Sequence, residues 1–227
     1  KNDKVFLFFF SSNHFQFYSY NNSLYGCRFY NWSNYVFWTE EQCQWLKKIN
    51  NNFSKCHNVG YFPSFGKNEE ILKIKKIVSV FPVTPFNDKF MYTQFTNRHY
   101  YNLENSIKFL KDILDSLKNV DVEIIIKLKR ENPDSHQKYI NYINYLEKEN
   151  KITIIDSNIS AISLIDKSDA VISSPYSSPS LMAEHFNKPT IYYDSSCSLV
   201  PVEPNIKKVK LVKNFDELSG WLNRILN

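Results

Sequence analysis

Glycine is scarce in this chain, at four of 227 residues. No G-x-G-x-x-G run occurs, so the common glycine cradle for a dinucleotide is excluded. Long apolar runs are missing as well. The longest near the start, Val5 to Phe10, is too short to span a bilayer or to form a signal-peptide core. Cysteine is limited to Cys27, Cys43, Cys56 and Cys197. No pair has metal-ligand spacing, and a disulfide framework would be sparse at this length, so reduced cytosolic thiols and no metal site are expected. The only methionines are Met91 and Met182, and residue 1 is Lys1. The sequence therefore reads as part of a longer gene product.

A hydrophobic content of 43% with 22% charge places the chain among globular proteins, long enough for one good core or two modest ones. Aromatic residues reach 16% beside abundant Asn, Lys and Ile. That mixture reads as AT-rich coding bias rather than as an aromatic binding surface, and it accounts for the sequons at Asn21, Asn31, Asn52 and Asn158. The net charge of +5 suits an anionic small ligand or loose attraction to a membrane surface. It is too diffuse for a nucleic-acid footprint, and no DNA- or RNA-binding motif is present.

From Ile77 onward, strand and helix patterns alternate. Strands are expected at 77–81, 122–128, 152–155, 170–173, 190–193 and 209–212. Helices are expected at 103–117, 135–149, 161–166, 180–186 and 215–226. This alternation predicts an α/β fold with a parallel sheet wrapped on both faces. Residues 1–60 differ. Val5 to Phe10 and Tyr35 to Trp38 read as strands, and Glu40 to Ile49 as a helix with Thr39 as N-cap and Gln42 closing a capping box. Gly60 to Lys76 is a polar connector. Two regions follow: 1–65, the tail of an incomplete N-terminal α/β domain, and 75–227, a C-terminal Rossmann-like domain.

The densest chemistry lies in SDAVISSPYSSPSLMAEHFNKPTIYYD, Ser168 to Asp194. A short strand runs into a turn with Ser173, Ser174, Ser177 and Ser178. Ser178 is expected to cap a helix that carries Pro179 in its first turn, and Asn187 to end it in the left-handed conformation. Hydroxyls and backbone N–H groups at a helix N-terminus, at the carboxyl end of a strand, suit a phosphate. The competing reading is an ordinary capped surface turn. Lys127, Lys129 and Arg130, in VEIIIKLKRENPD, sit at the carboxyl end of a strand at the same sheet edge, where cations can neutralise a diphosphate, or simply meet solvent. In FPVTPF, Thr84 and, just beyond it, Asp88 are expected in a stiff loop near the cleft. Asp156, Ser157 and Ser160 follow the strand at 152–155, either bordering a nucleoside or forming a plain helix-capping turn. Of the histidines, His14 and His99 are candidate general bases, while His185 reads as a surface residue. No histidine pair has metal spacing, and Glu40, Glu41 and Glu184 stand out no more than other acids.

Together the serine turn, KLKR, FPVTPF and the early FYSYNN resemble the bacterial polysaccharide-biosynthesis proteins named for a Pro-Phe-Thr-Ser motif. Pro175-Tyr176-Ser177-Ser178 stands at the named motif, keeping an aromatic and two hydroxyls. Leu128 stands in KLKR where the family has proline, and Pro82 replaces an acid. The resemblance covers most of the chain. It implies a GT-B glycosyltransferase: two facing Rossmann-like domains, with the donor nucleotide held mainly by the C-terminal one. The turn is also similar to that of cytidine-nucleotide transferases, namely the sialic acid and Kdo transferases and the teichoic acid glycerophosphate polymerases.

The implied activity is transfer of a sugar from a nucleotide-activated donor, CMP-linked donors included, to a glycan or lipid-linked acceptor. It would need neither metal nor cofactor. The absence of a His-Pro motif and of a paired-glutamate signature points to inversion. The implied location is the cytoplasm, at or near the inner face of the membrane. Serines and the basic strand end would hold the donor phosphate while a carboxylate or histidine deprotonates the acceptor. A nucleotide-sugar epimerase or hydrolase, a CDP-polyol phosphotransferase on the same fold, and a non-catalytic binding remnant stay open as alternatives.

Overall fold

The computed structural model describes residues 5–9, 29–50, 52, 54–60, 71–93, 102–129, 133–199 and 209–227. His14, His99, Arg130 and the FYSYNN segment lie outside them. The described residues fall into two units, 5–60 in one and the remainder in the other.

The first unit holds β1 (Phe6–Phe8), β2 (Asn34–Phe37), α1 (Glu40–Ile49) and β3 (Lys55–Asn58). Its sheet runs β1-β2-β3, all parallel. α1 starts as its sequence requires. The Thr39 hydroxyl accepts from the Gln42 N–H, and Gln42 Oε1 accepts from the backbone N–H groups of Trp38 and Thr39. The core is Phe9, Tyr35, Phe37, Cys43, Trp45 and Leu46. Cys43 and Cys56 are joined as a disulfide with Cα atoms 6.3 Å apart, which corrects the expectation of reduced thiols for this pair. The helix-to-strand return between them brings together two cysteines 13 positions apart. Cys197 is a free, exposed thiol.

The second unit contains β4 (Lys76–Phe81), α2 (Asp88–Thr93), α3 (Leu103–Leu117), β5 (Val122–Lys127), α4 (Gln137–Lys148) and β6 (Thr153–Ile155). It continues with α5 (Ala161–Lys167), β7 (Ala170–Ser173), α6 (Ser178–His185), β8 (Thr190–Tyr193), β9 (Lys210–Val212) and α7 (Phe215–Leu226). All six strands are parallel, in the order β6-β5-β4-β7-β8-β9. Strand alternation divides the layers. Val78 and Val80 of β4 enter the main core with Phe109, Leu110 and Ile113 of α3, Tyr139 and Ile143 of α4, and Leu218, Trp221 and Leu222 of α7. Ser79 faces the other way, and its hydroxyl meets that of Ser168, just past α5, at 2.5 Å.

The α/β class and the strand–helix alternation agree with the sequence reading. Two local expectations are corrected. Asp88 opens the short helix α2 rather than lying in a loop. The N-cap of α6 is Ser177, not Ser178. Proline is tolerated at either of the first helical positions, because neither N–H has an intrahelical partner, so Pro179 does not fix the start to a single residue. Asn187 does take the left-handed conformation, at φ 56°. Among the described residues no helix is long and apolar enough to cross a membrane.

Candidate functional site

Counted within their own unit, the six strands stand in the order 3-2-1-4-5-6. The chain leaves β4 toward β5 on one side, whereas β7 leads to β8 on the other. The order therefore reverses between β4 and β7, and ligands of open α/β sheets settle outside the carboxyl ends of the strands at such a switch point. The structure has a cleft there, open in part to solvent. Pro82 and Val83 after β4, Ser174 and Pro175 after β7, and Asp194 and Ser195 after β8 supply its loop walls. Asn105, Ser106 and Phe109 from the start of α3, with Tyr139 and Tyr193, supply the rest.

The turn after β7 is built by its own serines. The Ser177 N–H and hydroxyl both donate to the Ser174 carbonyl, at 3.2 and 2.8 Å. Pro175 follows Ser174, and Tyr176 sits at φ 61°. A proline followed by a positive φ inside an i to i+3 hydrogen bond is the pattern of a type II turn. Glycine usually takes that third position. Tyr176 holds it because its ring is buried and lies 5.6 Å from that of Tyr192. Burial, then the charge of Asp194, pushes the Tyr176 phenol up to about 12.

The four serines have different partners. Ser173 is fully buried, and its hydroxyl meets that of Ser180 at 2.6 Å, while Ser180 Oγ donates to the Ile191 carbonyl at 3.0 Å. Ser173 thus pins α6 to the sheet and does not line the cleft. Ser174 Oγ accepts from the Val83 N–H at 2.9 Å, and the Ser174 N–H donates to the Phe81 carbonyl at 3.0 Å. This joins the loops after β4 and β7 across the switch point. Having accepted one bond, the Ser174 hydroxyl can still donate toward the cleft. Ser177 holds the turn, and Ser178 is the first residue of α6.

The remaining predicted residues are more dispersed. Lys127 ends β5, one strand beyond β4, so roughly 10 Å of sheet separates it from β7. Its ammonium donates to the Ser157 carbonyl at 2.8 Å. Burial pulls it below the usual lysine range, against the opposing pull of Asp156. Lys129 is exposed. Thr84 lies beside Val83 but outside the cleft lining. Asp88 is exposed, 4.0 Å from His136 Nε2. Asp156 is exposed and accepts from the Asn158 N–H at 2.7 Å, and Ser160 is the buried N-cap residue of α5. The loop at 82–87 is laced to 134–136: the Asn87 N–H donates to the Asp134 carbonyl, and the His136 N–H to the Pro85 carbonyl.

Sequence reasoning missed Asn105, Ser106, Tyr139, Asp194 and Ser195. The buried Asp194 carboxylate orders its loop by accepting from the N–H groups of Ser196 and Leu199. Ser195 Oγ donates to the Asn105 carbonyl at 2.7 Å, tying that loop to α3. Tyr193 donates to Asp112 at 2.5 Å; burial and that bond raise its phenol well above the ordinary range. The Tyr139 hydroxyl is buried and has no hydrogen-bond partner among the described residues. Nor do the described residues bring together three or more His, Cys, Asp or Glu side chains able to hold a metal ion.

Comparison with curated proteins by sequence yields no significant match. Among solved structures, TarM superposes with a TM-score of 0.51 at 13% identity, over 98% of this chain and 43% of TarM. The wall teichoic acid polymerase TagF gives 0.49 at 13% identity, over 89% of this chain and 53% of TagF. An α,α-trehalose 6-phosphate synthase from Burkholderia multivorans gives 0.47 at 9% identity, over 86% and 52%. The chain thus spans about half or less of the length of these proteins. Its fold is α/β of the GT-B type. The sequence profile described as polysaccharide biosynthesis PFTS motif protein matches residues 1–222, and the chain belongs to that family.

Proposed function

We propose that this member of the polysaccharide biosynthesis PFTS motif family is the donor-binding part of a glycosyltransferase that moves a sugar from a nucleotide donor onto a glycan or lipid-linked acceptor. The observation that carries the reading is the cleft at the β4/β7 switch point, walled in part by Ser174 and Pro175 of the serine turn that leads into α6. The amino end of a helix favours negative charge, and backbone N–H groups there suit phosphate oxygens. In this reading the Ser174 hydroxyl donates to the donor diphosphate, with Ser177 and Ser178 shaping the turn around it. Donors that stabilise the departing nucleotide phosphate lower the barrier where charge develops. Lys127, Lys129 and Arg130 supply positive potential at the same sheet edge, and Thr84, Asp156 and Ser157 border the outer part of the donor.

The region 75–227 takes the donor role, and the region 1–65 the acceptor side. The acceptor base comes from outside the cleft, with His14, His99 and Asp88 as candidates, and the transfer inverts at the anomeric carbon. The reaction takes place in the cytoplasm, at or near the inner face of the membrane.

The test is a thermal-shift screen with CMP, CDP, UDP and GDP, followed by calorimetry on the native chain and Ser174→Ala. Binding of one nucleotide, weakened on the order of tenfold in the variant, is expected from loss of a hydrogen bond to a charged group. Equal binding by both proteins refutes the site, and no binding to any nucleotide favours a non-catalytic role. Turnover of a nucleotide sugar without an acceptor would identify an epimerase or hydrolase instead.

A further inference from the structure

Tyr139, in the first turn of α4, is fully buried in the main core. Its hydroxyl is buried and has no partner among the described residues. Buried phenols nearly always find a hydrogen-bond partner, because leaving one unpaired is unfavourable. Phenylalanine would fill the same space without that penalty. The side chain packs in the core and also lines the switch-point cleft, beside Asn105, Ser106 and Phe109. The cleft is therefore the open space from which a partner for the hydroxyl can come.

The chemistry of that partner follows from the surroundings. Burial, reinforced by Tyr142, raises the Tyr139 phenol far above its ordinary range, so it stays a neutral donor and acceptor. Asn105, Ser106 and Phe109, beside Tyr139 in the lining, are all uncharged, and the Asp194 carboxylate of the opposite loop is already engaged by the N–H groups of Ser196 and Leu199. We propose that the Tyr139 hydroxyl is a recognition group of this cleft, hydrogen-bonding an uncharged polar atom of the bound molecule. On the nucleotide reading given above, on which this inference rests, that atom belongs to the base or the ribose, not to the phosphates.

Tyr139→Phe tests it on the full 227-residue chain. Removing a hydroxyl that has no protein partner leaves the unliganded variant at least as heat-stable as the native protein. Affinity for whichever of CMP, CDP, UDP or GDP the native chain binds falls on the order of 3- to 10-fold, as for one lost neutral hydrogen bond. Unchanged affinity overturns the assignment to Tyr139 while leaving the nucleotide reading in place. A lowered melting temperature of the unliganded variant also overturns it, since the hydroxyl would then have a structural partner. Failure of the native chain to bind any of the four nucleotides overturns the nucleotide reading, and this inference with it.

Discussion

Tyr176→Gly and Tyr176→Ala form a paired test of the turn that carries the family's motif. Tyr176 is held at φ 61° with its ring 8% exposed. Truncating a buried aromatic to alanine costs about 3–5 kcal/mol. Alanine keeps a Cβ in the left-handed region, where an L-residue is disfavoured by about 1–2 kcal/mol. Glycine has no such penalty but gives up roughly 0.5–1 kcal/mol through its larger freedom in the unfolded chain. Both variants lose the ring contact with Tyr192, so the ring term cancels between them. Glycine should therefore exceed alanine by up to about 1.5 kcal/mol, the reverse of their usual order in regular structure. Urea unfolding followed by tryptophan fluorescence measures the difference, with Trp221 in the core of the same unit. An alanine variant as stable as the glycine variant, or more so, would refute the claim that the fold imposes a left-handed residue here.

Two further outcomes are expected. Ser180→Ala removes a buried hydroxyl that bridges Ser173 and the Ile191 carbonyl, and should lower unfolding free energy by about 1–3 kcal/mol; a loss near zero in urea titration contradicts the pinning role. Burial raises the phenols of Tyr139, Tyr176 and Tyr193 in the folded state, the last also through its bond to Asp112. The unfolded chain then releases these protons from about pH 10, while the native state keeps them. Stability is unaffected below that pH and falls above it, by about 1.4 kcal/mol per pH unit for the fully buried Tyr139. Flat stability from pH 9 to 11, measured by denaturant titration, would show that these phenols ionise without unfolding.

Much of the second unit could be read from periodicity alone. Leu103–Leu117 and Phe215–Leu226 bury one face at helical spacing, and the structure gives the same bounds. The Thr39 capping box and the left-handed Asn187 follow from local chemistry that needs no tertiary information. β3 was illegible because KCHN has no apolar alternation and becomes a strand only through its ladder with β2. The disulfide depends on that same unread strand.

The cleft was half legible. Expecting ligands at the carboxyl ends of strands led to Ser174 and to the loop after β4, and the same rule applied to β8 would have reached Asp194 and Ser195. Asn105, Ser106 and Tyr139 were beyond it. Their meeting depends on the spatial order of strands and on where α3 and α4 cross the sheet, which no local pattern records. Ser173 shows the converse: its composition context suggested a ligand, but only its burial against Ser180 reveals an anchoring role.

The junction of β4 and β7 also has a temporal side. Val83 and Ser174, which close it, are 91 positions apart. A ribosome adding about 5–20 residues per second needs roughly 5–20 s to cover that distance. Throughout that interval β4 can pair with β5 when it appears, but its other edge has no native neighbour. An unpaired apolar strand edge is open to other chains. The nascent protein is thus most vulnerable to aggregation before β7 emerges, and the cleft forms only once that vulnerability has passed.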